Sequence, residues 1–253
     1  MCTSSDKDIR RLYGDLAWTW PIISPPDDYI EESEEFIELI TTHAKIPVKN
    51  LLNLGCGGGH NDFTLKTRFQ VTGADISDNM LSLARGLNPD VTYVKGDMRS
   101  LRLGRQFEAV TVFDSISYMS TRDDLISVFR TAYEHLNPGG VMVTVVEYRT
   151  ETFQQSRITH STRRRGDVEI ALVENDYDPD PNDSSFEFTM IFLIRRSGVL
   201  STGIDRHILG LFPLDSWVDT MRGVGFDVTR TQSVTADEAG EYFPILIGVR
   251  PLR

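Results

Sequence analysis

Cysteine is nearly absent: Cys2 and Cys56 are the only two in 253 residues. One sits near the start and the other inside a glycine-rich loop, which excludes a disulfide scaffold and a cysteine-built metal cluster. The five histidines, His43, His60, His135, His160 and His207, include no pair at the helical spacing of a zinc site. No metal is expected. Apolar runs are short as well, Met190–Ile194 being among the longest, against the ~20 residues that span a bilayer. The opening "MCTSSDKDIRR" lacks the apolar core of a signal peptide, so a cytoplasmic protein is expected. Positive charge is in deficit, with 26 Lys and Arg against 37 Asp and Glu and a formal net charge of −11. That sign disfavours nucleic acid and membrane as partners and leaves a small molecule.

What the chain does have is periodicity. Ile9, Leu12, Tyr13 and Leu16 follow the spacing of a short amphipathic helix. The connector "WTWPIISPPDDY" cannot be helical throughout, and a second helix with an acidic first turn is predicted from Asp27 or Asp28 to about Ala44. A βα alternation follows. Strands are predicted at "NLLNLG", "FQVTGAD", "VTYVKGD", "FEAVTVFD" and "GGVMVTVVE", with helices from His60, from a Ser77 cap, and from Thr121 to Leu136. Near-continuous apolar strands of this kind belong to a parallel sheet covered on both faces.

After Tyr148 the period changes to two. "DVEIALVENDYD", "SSFEFTMIFLIRR" and "GVLSTGIDRHILGLF" read as antiparallel strands, before a helix near Asp215 and closing strands at "FDVTR" and "YFPILIGVR". The alternating Phe186, Phe188, Met190 and Phe192 form a core face first, and a substrate wall or dimer surface second. The predicted fold is α/β: a Rossmann-like, mostly parallel seven-stranded sheet with helices on both faces, plus an antiparallel β insertion. One domain over 1–253 divides into an N-terminal helical lid (1–46), a cofactor-binding core (47–149), an antiparallel substrate cover (150–210) and the C-terminal part of the core sheet (211–253).

The segment "LLNLGCGGGHNDFTL" carries the chemistry. Gly55, Gly57 and Gly59 follow an apolar strand and precede a helix, the arrangement of a nucleotide-like cofactor loop. A dinucleotide loop calls for a third glycine where His60 stands, so G-x-G-x-G alone leaves open a dinucleotide or S-adenosylmethionine (SAM). Asp75, ending strand two, suits a ribose diol in either. Asp97 and Met98, ending strand three, suit adenine: a carboxylate for the exocyclic amine and a thioether for the ring face. That favours SAM, and makes a nicotinamide oxidoreductase the poorer reading.

At this point the chain resembles class I SAM-dependent methyltransferases. The resemblance rests on "LLNLGCGGG", "VTGADIS", "VKGDMRSL", "FEAVTVFDSISYM" and "LNPGG", over roughly residues 50–147. "RLYGDLAW", "GDMRSL", "DSISYM", the strand-rich insertion, "RHILGLF" and "IGVR" make it similar, more narrowly, to the nucleotide-linked aminosugar N,N-dimethyltransferases. The resemblance implies a cofactor site of Tyr13, Tyr29, Asn53, Gly55, Gly57, Gly59, Asp75, Ile76, Asp97, Met98 and Phe113, and an acceptor side of Tyr13, Asp114 and Tyr118. Two positions depart from it. Asn53 stands where motif I usually has an acid, and Tyr118 stands where the aminosugar enzymes carry a histidine.

Methyl transfer is an in-line displacement in which the protein mainly aligns a nucleophile and excludes water. A neutral amine needs no strong base, and no base–orienter pair is visible at the strand ends, so a small amine is the expected acceptor. The alternatives are an O-methyltransferase of a small metabolite and a SAM-binding protein without transfer. "TRRRGD" reads as a solvated hairpin tip. A homodimer is expected if the apolar face of the insertion is exposed.

Overall fold

The computed structural model describes residues 10–236, 240 and 242–252; Cys2 and Ile9 lie outside them. The helix expected along Ile9–Leu16 is replaced by two separate 3-10 turns, Arg11–Tyr13 and Ala17–Thr19. Gly14, at φ −111° and ψ −116°, breaks the path between them. Leu12, Leu16 and Ala17 still point inward, so turns satisfy the apolar spacing that suggested a helix.

Two helices complete the N-terminal segment, α1 (Trp20–Ile23) and α2 (Ile30–His43). The core then runs β1 (Asn50–Leu54), α3 (His60–Leu65), β2 (Gln70–Asp75), α4 (Asp78–Leu87), β3 (Thr92–Lys95), β4 (Phe107–Val112), α5 (Arg122–His135) and β5 (Leu136–Val145). The insertion supplies β6 (Arg157–Arg165), β7 (Val168–Tyr177), β8 (Ser185–Arg196) and β9 (Val199–Gly210). Helix α6 (Leu214–Val224) and strands β10 (Asp227–Ala236) and β11 (Tyr242–Val249) close the chain.

The main sheet has seven strands in the order β10-β11-β5-β4-β1-β2-β3. Strands β1 to β5 pair in parallel and β10 and β11 are antiparallel. The mostly parallel α/β sheet and the separate antiparallel sheet agree with expectation. One face carries α5 and α6 through Phe129, Trp217 and Met221; the other carries α2 through Phe36 and Ile40. From β1 the chain winds first towards β2 and β3, then returns to build β4 and β5. The crevice between β1 and β4 is therefore the switch point where open α/β sheets hold ligands.

The insertion is a four-stranded sheet, β6-β7-β8-β9. Strand β6 covers the strand-like run around His160, although its inward positions Thr159 and Ser161 are polar and give no hydrophobic alternation. "TRRR" thus lies in a strand, and only Gly166 and Asp167 make the turn. The inner face buries Ile170, Leu172, Met190 and Phe192 against Leu12, Leu16 and Ile23. This apolar contact presses the N-terminal segment over the ends of β2 and β4. Among the described residues no helix is long and apolar enough to cross a membrane.

Candidate active site

Three left-handed glycines shape the loop after β1. Gly59, at φ +76°, precedes α3, and a Cβ there would come within 2.6 Å of the Tyr93 hydroxyl. A Cβ on Gly57, at φ +51°, would meet nothing within 4 Å. The loop is thus packed tightly behind and open in front. Asp75, from the end of β2, accepts from the backbone N–H of Gly57 at 2.9 Å and of Ser77 at 2.8 Å. Burial pushes its carboxyl pKa up. Ser77 caps α4 by accepting from Met80 N–H, and its hydroxyl donates to the Tyr13 carbonyl at 2.8 Å. The loop, the end of β2 and the N-terminal segment are therefore one hydrogen-bonded unit.

The remaining cofactor candidates fall around that unit. Met98 Sδ lies 3.7 Å from the point a Cβ on Gly55 would occupy, and Ile76 is half exposed beside Asp75. Asp97 receives the Arg99 guanidinium on both oxygens, at 3.1 and 2.7 Å, which holds its carboxyl below the usual range. Phe113 stacks on Phe36 with ring centroids 4.3 Å apart. Tyr29 shares a 2.6 Å hydrogen bond with Ser24 and packs against His60. Asn53 is 1% exposed and turned into the core: it donates to Asp62 at 2.8 Å and accepts from Thr111 at 3.2 Å. Asp62 is itself buried, and that burial lifts its carboxyl to about 6. The acid that motif I lacks thus sits nine positions later, hydrogen-bonded to Asn53.

Beyond the loop lies an acidic cavity of about 190 Å³, walled by Tyr29, Glu32, Glu35, Asp114, Glu147 and Phe243. Burial, and then the Asp114 charge, lift Glu32 to about 8. Burial raises Asp114, and burial with Asp114 and Glu32 nearby raises Glu147 well above its ordinary value. Like charges crowded out of water ionise reluctantly unless a cation joins them. A second cavity of about 240 Å³ adjoins through Glu147 and Phe243, lined by Tyr148, Phe153, Phe188 and Asp176 beneath the insertion.

Tyr13 and Tyr118 meet across the crevice, hydroxyl to hydroxyl at 2.7 Å. The Tyr118 hydroxyl also lies 2.6 Å from His207 Nδ1, and His207 Nε2 lies 2.9 Å from Asp205 Oδ2. With Nε2 protonated, His207 donates to Asp205 and accepts from Tyr118. The base–orienter pair that spacing did not reveal is therefore present, His207 on β9 reaching a site built by β4. Sequence reasoning also missed Glu147 and Glu32. The available signal for Glu147 was a charge ending the apolar run "VMVTVV" at the crevice end of β5.

Residues 51–140 match the methyltransferase domain family. That stretch runs from β1 to the start of β5 and is similar to a methyltransferase domain. Over 150 residues it is 34% identical to a dTDP-3-amino-3,4,6-trideoxy-α-D-glucopyranose N,N-dimethyltransferase of Streptomyces venezuelae. It is 31% identical to a dTDP-3-amino-3,6-dideoxy-α-D-glucopyranose N,N-dimethyltransferase of Streptomyces fradiae, again over 150 residues. Each match takes in 58% of this chain, and 63% and 58% of the two relatives. The crystal structure of Streptomyces venezuelae DesVI superposes with a TM-score of 0.80, 27% identity, and 94% and 96% coverage of the two chains. The sugar N-methyltransferase KedS8 from Streptoalloteichus shares the fold, with a TM-score of 0.81 at 20% identity, over 99% of this chain and 97% of that one.

Proposed function

We propose that the protein is a SAM-dependent methyltransferase acting on an amine of a small molecule. The observation that carries this is the convergence of Glu32, Asp114 and Glu147 on one cavity, which is tied to the helix after the glycine loop through Tyr29 against His60 and Asn61 donating to Glu32. SAM, when bound, supplies a methyl group on a sulfonium. The open front of Gly57, the Asp75 carboxylate and the Asp97–Met98 end of β3 fit such a nucleoside, with Gly55, Gly59, Ile76, Tyr29 and Phe113 shaping its surroundings. Asp97 must share its carboxylate with Arg99, and Asn53 acts from below the loop through Asp62.

Charge decides the acceptor. During transfer, positive charge leaves the donor and grows on the attacking nitrogen. Fixed carboxylates beside that nitrogen stabilise the transition state more than the ground state. Asp114 and Glu147 take this role, while Tyr13 and Tyr118 orient the amine. An alcohol would use a carboxylate as a base and end as a neutral ether, whereas a methylated amine keeps the positive charge that three carboxylates hold, which makes O-methylation the weaker reading. The test is calorimetric titration with SAM, followed by transfer of labelled methyl to dTDP-3-amino-3,4,6-trideoxy-α-D-glucopyranose and to free amino sugars. Binding with transfer to none of them would favour a SAM-binding protein without turnover.

The protein is further proposed to work in the cytoplasm as a homodimer, without nucleic acid or membrane as partner. The outer face of the insertion exposes Ile191 (38%), Leu193 (40%) and Ile204 (62%) together, with Ile191 and Ile204 paired across β8 and β9. Apolar neighbours on an open sheet face suit isologous packing of two copies. Light scattering that gives a monomer, unchanged by Ile191→Glu, would remove the dimer.

A further inference from the structure

The acidic cavity creates a difficulty for the chemistry it favours. Carboxylates that attract an ammonium also keep it protonated, and a protonated nitrogen has no lone pair with which to attack. A proton must leave before methyl transfer. Protonating Asp114 or Glu147 would discharge the groups that stabilise the growing cation, so the proton needs another destination.

We infer that Tyr13, Tyr118 and His207 form a proton relay that deprotonates the acceptor amine, with His207 as the terminal proton acceptor. The inference rests on the amine methyltransferase reading. The links are 2.7 Å between the two tyrosine hydroxyls and 2.6 Å from Tyr118 to His207 Nδ1. In the step, the ammonium N–H passes its proton to the Tyr13 oxygen. Tyr13 passes its own proton to Tyr118, and Tyr118 passes its own to Nδ1. The amine keeps the electron pair, both tyrosines end neutral, and the imidazole becomes imidazolium. His207 is fully buried, so the new cation depends on Asp205, which holds Nε2–H at 2.9 Å. Asp205 is anchored in turn by the backbone N–H groups of Arg11 and Leu12, at 2.9 and 2.6 Å. The N-terminal turn that anchors Asp205 thus also carries Tyr13.

The chain of hydroxyls suits transfer rather than storage. Burial pushes the Tyr13 and Tyr118 phenols far above their ordinary values, so neither persists as a tyrosinate. Besides Asp205, the groups around the relay are the Arg10 guanidinium, 4.7 Å from the Tyr118 ring centroid, the Arg11 guanidinium held by Asp15, and Asp75 and Asp114 acting on Tyr13. On β8, Phe188 presents only an aromatic edge to His207. The imidazole thus packs among Tyr13, Tyr118 and Phe188 and does not line the acidic cavity.

His207→Gln tests the relay, because an amide can accept from Tyr118 and donate to Asp205 but cannot take up a proton. With SAM and dTDP-3-amino-3,4,6-trideoxy-α-D-glucopyranose as the amine, the variant should keep wild-type SAM affinity and thermal midpoint. Its single-turnover rate should fall about 100-fold near neutral pH. The deficit should shrink about tenfold per pH unit as solvent supplies free amine. A wild-type rate and pH profile in His207→Gln would overturn the relay, as would a pH limb that moves with Glu147→Gln and not with His207→Gln. If wild-type protein methylates no amine, the functional reading fails separately, and ¹⁵N NMR of histidine-labelled protein with S-adenosylhomocysteine decides the relay. The inference expects a His207 imidazolium on acidification, with proton exchange slowed in Tyr118→Phe. A ring that stays neutral, or exchange unaffected by that variant, would overturn it.

Discussion

The donor side and the acceptor side of this crevice are built by different rules. The donor side is local: the loop after β1 and the ends of β2 and β3 come from residues 53–98, each at a strand end fixed by the parallel order. The acceptor side draws Tyr13 from the N-terminal turns, Glu32 from α2, Asp114 and Tyr118 from the turn after β4, Glu147 from beyond β5 and His207 from β9. The first is backbone shape with one carboxylate at its centre. The second is a concentration of buried charge that only tertiary packing brings together. Changes on the donor side should therefore act on cofactor affinity and folding, and changes on the acceptor side on turnover, with SAM affinity retained.

The largest separation should come from Glu147→Gln. Removing a carboxylate from the nitrogen's surroundings should lower kcat/KM for an amine about 100-fold, in the range of lost transition-state charge stabilisation. SAM affinity should stay within about twofold. Steady-state kinetics alongside calorimetry measures both, and a parallel loss of SAM binding would break the distinction. Gly59→Ala should do the reverse. A left-handed backbone with Tyr93 behind it costs on the order of 1–3 kcal/mol for a side chain. Thermal unfolding and SAM titration should show reduced stability and weaker SAM binding, with the affinity loss roughly tenfold per 1.4 kcal/mol.

How much of this was legible follows the same division. The loop glycines, Asp75, Asp97 and the Ser77 cap could be read because strand-end positions and cap chemistry are written within a few residues. The extent of β6 through "TRRR" was not legible because its inward face is polar, and the first helix failed because Gly14 let separate turns meet the same apolar spacing. His207 looked like one more histidine in a strand. Its partner Tyr118 lies 89 positions away, a distance no local pattern spans. Asn53 looked like a missing charge, whereas Asp62 is hydrogen-bonded beneath it. The Asn53→Asp, Asp62→Asn double variant should thus bind SAM better than Asp62→Asn alone, by severalfold in a titration.

A smaller effect sharpens the acceptor side through pH. Glu32 has a folded pKa raised to about 8, above its ordinary 4.5, so the folded state holds that proton more tightly than the unfolded chain. Its contribution to stability is present below pH 4.5 and is lost as pH rises towards 8. Glu32→Gln should therefore gain thermal stability relative to wild type at pH 8 and not at pH 4.5. Equal shifts at both would show that the cavity carboxylates are solvated. Amine binding should also release protons from these carboxylates, which calorimetry in buffers of different ionisation enthalpy reads directly.

The central claim is that the carboxylate-lined cavity receives an amine for methylation. Incubating the full chain with methyl-labelled SAM and dTDP-3-amino-3,4,6-trideoxy-α-D-glucopyranose, then repeating with Glu147→Gln, tests it most directly. The account predicts label on the amine nitrogen with wild-type protein and loss of nearly all of it in the variant that still binds SAM. Transfer that survives Glu147→Gln at full rate, or SAM binding with no label on this or any free amino sugar, would contradict it.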